Sequence, residues 1–174
     1  EYLLQFAFMA SEYLRVVFGI KNPSIGLINI GTEETKGNEL CKRVYEMLKD
    51  SDLNFVGNVE ARDIASCKAD ILVTDGFTGN VVIKFMEGMA QTLLSEMKAA
   101  FMSSTVSKIG AALAKNQIMQ LKNKVDYEEL GAGILLGVSG GVFKCHGSSG
   151  RRSIKNGLLQ AVKFSQDDVI GVIK

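Results

Sequence analysis

Leu3, Phe6, Met9, Ala10, Tyr13, Val17 and Ile20 recur at three- and four-residue steps, which predicts an amphipathic helix over residues 1–20. Asn22-Pro23-Ser24 breaks it. The short apolar run Ile25-Gly26-Leu27-Ile28-Asn29-Ile30 reads as a strand buried on both faces. A polar loop, residues 31–37, leads to Asn38, which caps a helix running to about Lys49 with Leu40, Val44 and Leu48 in register. A second short strand is expected at 53–56, a short helix at 62–67 and a third strand at 70–74. A long helix follows from about residue 80, with Val81, Phe85, Met89, Leu93, Met97 and Phe101 at four-residue spacing. Two strands near 133–138 and 141–145 and a helix at 153–164 complete the chain.

Strands alternating with helices predict an α/β protein with a mostly parallel sheet flanked by helices, organised as one α/β domain over residues 1–174. Right-handed crossovers would place the loops 31–38 and 75–80 on one edge, beyond the carboxyl ends of their strands, where open α/β sheets bind ligands. Residues 97–125 stand apart: they contain Lys98, Lys108, Lys115, Lys122 and Lys124 and no Asp or Glu, interleaved with Ile109, Leu113, Ile118, Met119 and Leu121. That pattern predicts a protruding, basic, amphipathic helical hairpin. A surface for an acidic partner or membrane and a dimer-packing helix pair are equally open readings of it.

Composition narrows the functional classes. Twenty basic residues against 19 acidic ones leave a formal charge of +1, which argues against a protein that is basic overall and wraps nucleic acid. The 3 cysteines are widely spaced with no C-x-x-C, so neither a zinc ribbon nor a disulfide framework is indicated and a reducing cytosol is the simplest home. No apolar run is long enough to span a bilayer. With one histidine and no cysteine cluster, no metal site or cofactor is called for.

Several short motifs bear on chemistry. Gly137-Val138-Ser139-Gly140-Gly141 matches a G-x-S-x-G nucleophile elbow by letter, but the elbow must open a helix and residues 142–145 read as a strand. Cys145 and His146 are adjacent, and in an extended segment they face opposite ways, which prevents them sharing a proton. His146 is open to two readings, a core histidine or part of a polar pocket with Gly147, Ser148 and Ser149. The strongest signal is the concentration of Asp75, Gly76, Thr78, Gly79 and Asn80 at one strand end, with Lys36 in the matching loop. Glycines let backbone N–H groups approach a ligand, Thr78 and Asn80 are candidate caps, and a helix start attracts anions. Well-capped β–α turns would look the same.

Five segments in order, 29–39, 55–63, 73–81, 135–138 and 146–149, resemble signatures of the bacterial phosphate acyltransferases of phospholipid synthesis. The resemblance covers nearly the whole chain and implies that it is the C-terminal half of a longer enzyme, with a fold like the isocitrate and isopropylmalate dehydrogenases. It implies transfer of a long-chain acyl group from acyl carrier protein to inorganic phosphate, in a cytoplasmic homodimer associated peripherally with the inner membrane surface. Lys36, Asn80 and His146 are then the expected catalytic residues. Gly31, Asn38, Asp75, Gly76, Thr78, Gly79, Gly147, Ser148 and Ser149 are expected around the substrates, and Lys108, Leu113, Lys115, Ile118 and Lys122 at the membrane or carrier protein. A short-chain, coenzyme A-dependent phosphotransacylase and a non-catalytic membrane-binding or dimerisation module are the rival expectations.

Overall fold

The computed structural model describes residues 1–66, 69–125, 131–147 and 149–173, with residues 122–125 described by backbone only. In chain order the elements are α1 (Tyr2–Phe18), β1 (Ile25–Asn29), α2 (Glu39–Lys49), β2 (Phe55–Glu60), a single 3₁₀ turn (Ala61–Asp63), β3 (Ile71–Val73), α3 (Gly76–Met102), α4 (Thr105–Leu113), α5 (Lys115–Val125), β4 (Gly133–Leu135), β5 (Val142–Lys144), α6 (Arg151–Gln166) and α7 (Val169–Ile173). β1 lies between β2 and β3, parallel to both, while β4 and β5 form a separate antiparallel pair.

The apolar run Ile25–Ile28 of β1 follows from its position: all five residues of the strand, polar Asn29 included, are buried. Ile25, Leu27, Val44, Leu48, Ile71 and Val73 form one core with Ala7 of α1. A second core joins Val17, Phe164 and Val169, and Phe143 packs edge-on against Phe164 at 5.4 Å between ring centres. Among the described residues no helix is long and apolar enough to cross a membrane.

Several boundaries differ from the sequence expectation for identifiable reasons. α1 stops at Phe18, before Asn22-Pro23, because Gly19 takes a left-handed conformation (φ 71°) and its N–H donates to the Leu14 carbonyl. β2 extends to Glu60, further than its apolar residues suggest. A bulge puts Phe55 opposite Ile25 but Gly57 opposite Gly26, and Gly57 sits at φ 97°. The shifted register turns Asn58 inward. The expected helix at 62–67 is reduced to the 3₁₀ turn; Cys67 lies outside the described residues. α3 runs to Met102, past the start expected for the basic segment, and breaks at Ser103-Ser104, where Ser104 Oγ accepts from Ser107 N–H and caps α4.

Candidate functional site

β1 ends at Asn29, a polar residue only 5% exposed, and its side chain ties down the loop that follows. Asn29 Oδ1 accepts from the Ile30 N–H at 2.8 Å. Its Nδ2 donates to the Lys36 carbonyl at 3.0 Å and to Asn58 Oδ1 at 3.1 Å. Asn58 Nδ2 donates to the Glu33 carbonyl at 2.9 Å. The loop is thus pinned at its start, middle and end by two buried amides whose oxygen and nitrogen each hold a partner. Gly37 closes it at φ 91°, with no room for a side chain: a Cβ there would lie 2.4 Å from Asn29 Oδ1. Asn38 Oδ1 then accepts from Cys41 N–H at 2.9 Å, the cap expected from the sequence.

The matching turn after β3 is built by Asp75. One carboxylate oxygen accepts from Phe77 N–H at 3.0 Å and Thr78 N–H at 2.9 Å, and the other accepts from the Thr78 hydroxyl at 2.6 Å. The cap of α3 is therefore Asp75, not Thr78 or Asn80. These bonds, the Thr78 hydroxyl first, hold the Asp75 carboxyl below its ordinary range. They also engage two of the amides that the sequence offered to an anion. Gly79 is required by a close approach, since a Cβ there would meet Thr74 Cγ2 at 2.9 Å.

The two turns converge. Asn29, Gly37, Asn38, Asp75 and Thr78 share the wall of a cavity of about 360 Å³, floored by apolar side chains such as Leu27, Leu40 and Val82. It opens beyond the carboxyl ends of β1 and β3, the place where open α/β sheets take ligands. Gly31 is buried, and the stem of exposed Lys36 folds over it rather than into this wall.

The other candidates gather further along α3. Cys145 and His146 do face opposite ways: Cys145 Sγ lies beside Gly157 of α6, while His146 Nε2 is 2.8 Å from Lys84 Nζ on α3. Lys84 Nζ is also 2.8 Å from Glu87 Oε2. Asn80, exposed on the first turns, shares this helical face by its spacing with Lys84 and Glu87, whereas Thr78 and Val82 face the cavity. Thr78 and Lys84 are six residues apart, about 9 Å along the helix axis. The structure thus brings Asn38, Asp75 and Thr78 together, leaves Gly31, Lys36, Gly76 and Gly79 off that wall, and places His146 at a second position on the same helix as Thr78. Gly76 is the exposed first residue of α3, Gly147 lies in an exposed turn, and Ser149 Oγ is 3.1 Å from Ser153 Oγ; Ser148 lies outside the described residues. The 137–141 segment is the turn between β4 and β5, so Ser139 has no helix behind it.

Asn29, Asn58, Lys84 and Glu87 are functional candidates that motif reading passed over. An Asn ending an otherwise apolar strand, and Lys and Glu one turn apart in an otherwise apolar helix segment, were their signals.

A three-stranded parallel sheet flanked by helices, with a cavity at its strand ends walled by two capped β–α turns, places the chain in the α/β class. A family model described as "Fatty acid synthesis protein" matches residues 1–172, and the chain belongs to that family. It is 49% identical over 172 residues to the phosphate acyltransferase of Brevibacillus brevis, covering 99% of this chain and 51% of that protein. It is 50% identical over 168 residues to that of Clostridioides difficile, covering 97% and 49%. For that of Macrococcus caseolyticus the identity is 47% over 175 residues, covering 100% and 54%. The chain spans about half the length of the curated relatives it matches.

Proposed function

We propose that this chain is the C-terminal half of an acyltransferase that moves a long-chain acyl group from acyl carrier protein to inorganic phosphate, giving acyl phosphate for phospholipid synthesis. The observation that carries the reading is the convergence of the 31–38 and 75–80 turns on one cavity at the carboxyl ends of β1 and β3. Family membership and relatives bearing the phosphate acyltransferase name support it.

Phosphate is ionised at neutral pH and needs little general-base help, so catalysis is mainly alignment and stabilisation of the developing oxyanion. A phosphate oxygen attacks the thioester carbonyl carbon, the new C–O bond forms, and the carrier thiolate departs with the C–S electron pair. Lys36, whose stem lies over Gly31 in the same loop, supplies positive charge for phosphate, which offsets the Asp75 carboxylate. Gly31, Asn38, Gly76, Thr78 and Gly79 shape the site. Asn80 or His146 donates to the thioester oxygen, with Gly147, Ser148 and Ser149 beside it. In the full-length protein the sheet continues into a dehydrogenase-like fold, and the enzyme works as a cytoplasmic homodimer at the inner membrane surface.

In full-length enzyme, Lys36→Ala raises the phosphate KM or lowers turnover by about 100-fold. Normal phosphate kinetics in that variant removes Lys36 from the site. Comparing acyl phosphate formation from acyl carrier protein and coenzyme A thioesters separates this reading from the short-chain phosphotransacylase.

A second contact surface is supported by exposure on α4: Val106 and Leu113 are 80% and 83% exposed, in a segment whose only formal charges are lysines. Lys108, Leu113, Lys115 and Ile118 meet the acidic carrier protein or anionic lipid there; the Lys122 side chain, assigned to the same surface, lies outside the described residues. Changing Leu113 and Ile118 together to Glu abolishes co-sedimentation with anionic vesicles while the dimer persists. Loss of the dimer instead identifies a packing surface.

A further inference from the structure

We propose that the cavity at the strand ends takes the tail of the acyl chain rather than phosphate, and that Leu40 and Val82 determine which chains it admits. The inference rests on the acyl-transfer reading above. Leu3 of α1, Leu27 and Ile28 of β1, Leu40 of α2 and Val82 of α3 all contribute to the lining. Apolar side chains from four elements thus converge on a space of about 360 Å³, within the range of about 300–1,000 Å³ usual for a small-molecule pocket. Leu27 and Ile28 are buried and belong to the packed sheet. Leu40 is exposed and Val82 half-buried, so both present apolar surface that a ligand can cover.

The polar part of the wall bonds to itself. Asn29 holds Ile30, Lys36 and Asn58, Asn38 Oδ1 accepts from Cys41 N–H, and the Thr78 hydroxyl donates to Asp75. Asp75 also accepts from the Phe77 and Thr78 amides, which turns them away from an incoming anion. Its carboxyl, held below the ordinary value of 3.8, is ionised at neutral pH, so a phosphate beside it would meet like charge. Among the described residues that line the cavity none is Lys, Arg or His. Phosphate therefore belongs with Lys36, off this wall, and the cavity offers a ligand chiefly apolar surface. Each methylene moved from water onto such surface is worth about fourfold in affinity. A thioester whose tail lies on the floor keeps its carbonyl toward the two turns, one of which carries Lys36.

The test uses full-length enzyme with butyryl and palmitoyl thioesters of acyl carrier protein. In Leu40→Phe and, separately, Val82→Phe, kcat/KM for palmitoyl transfer falls about tenfold or more, while the butyryl value stays within about threefold and the phosphate KM within about twofold. Equal losses for both chains, or no loss for either, overturn the inference while the acyl-transfer reading stands. A native enzyme that makes no acyl phosphate sinks both. Cys41, on the same wall, supplies a readout that needs no variant. Its alkylation by N-ethylmaleimide, followed by peptide mass spectrometry, slows about fivefold or more once palmitoyl thioester is several times its Kd, and is unchanged by butyryl thioester or by inorganic phosphate alone. Protection by phosphate alone, or none by palmitoyl thioester, contradicts the assignment. Far-ultraviolet circular dichroism of each variant confirms that the fold is retained.

Discussion

In the sheet layer Ile25, Leu27, Val44 and Leu48 are each at most 1% exposed, whereas no residue of α3 or α4 is buried, and Phe77, Phe85 and Leu113 are 81%, 67% and 83% exposed. Apolar residues are plentiful in both regions. In the layer they interdigitate between α1, α2 and three strands; along the helical arm they recur at helical spacing but stay in water. Hydrophobic periodicity therefore specifies a helix without specifying that its apolar face is covered within this chain. Side-chain removal should cost stability in the layer and very little along the arm.

The largest effect expected is Leu48→Ala, which opens a cavity beside β1 and costs about 2–5 kcal/mol in urea unfolding. A cost below about 1 kcal/mol would dissolve the contrast between the regions. Gly37→Ala comes next. A left-handed backbone and the buried Asn29 amide both oppose a methyl group there, and about 1–3 kcal/mol is lost. Asp75→Ala removes the cap of α3 and costs about 0.5–2 kcal/mol at neutral pH. Its pH dependence has a definite sign. Asp75 has a folded pKa below its unfolded value, so its stabilisation is fully present above the ordinary value of 3.8 and is lost as pH falls through the lowered one. The gap between native protein and Asp75→Ala should narrow on acidification within that window, and a gap that widens there contradicts the cap. Gly88→Ala runs the other way: the space its new methyl group would occupy on α3 is open, with nothing within 4 Å, and the variant gains about 0.5–1 kcal/mol, read as a higher Tm. Leu113→Ala is the smallest change, within about 0.5 kcal/mol.

The legible parts of the sequence were those governed by local rules. The short apolar run of β1, the Asn38 cap and the four-residue spacing along α3 all appear as read. β2 was under-read because Asn58 and Glu60 are polar, and only the bulge at Gly57 makes an inward-facing Asn58 useful to the loop across the sheet. At the start of α3 the sequence reading offered Thr78 and Asn80 as caps, and the cap that forms, Asp75, rests on backbone geometry that letters do not carry. Lys84 and Glu87 drew no reading from the sequence. Only the fold brings Lys84 beside His146, 62 positions away.

The amino-acid order by itself determined which segments are helix and strand, where the capped glycine turns fall and which family the chain resembles, because helix period, strand burial and capping act over a few residues. Tertiary structure decided that the two turns share one cavity, that Asn29 and Asn58 brace the first of them, and that His146 meets α3 rather than that cavity's wall. Those outcomes depend on register and on contacts between distant segments, and such contacts are fixed only when the sheet and its covering helices pack together.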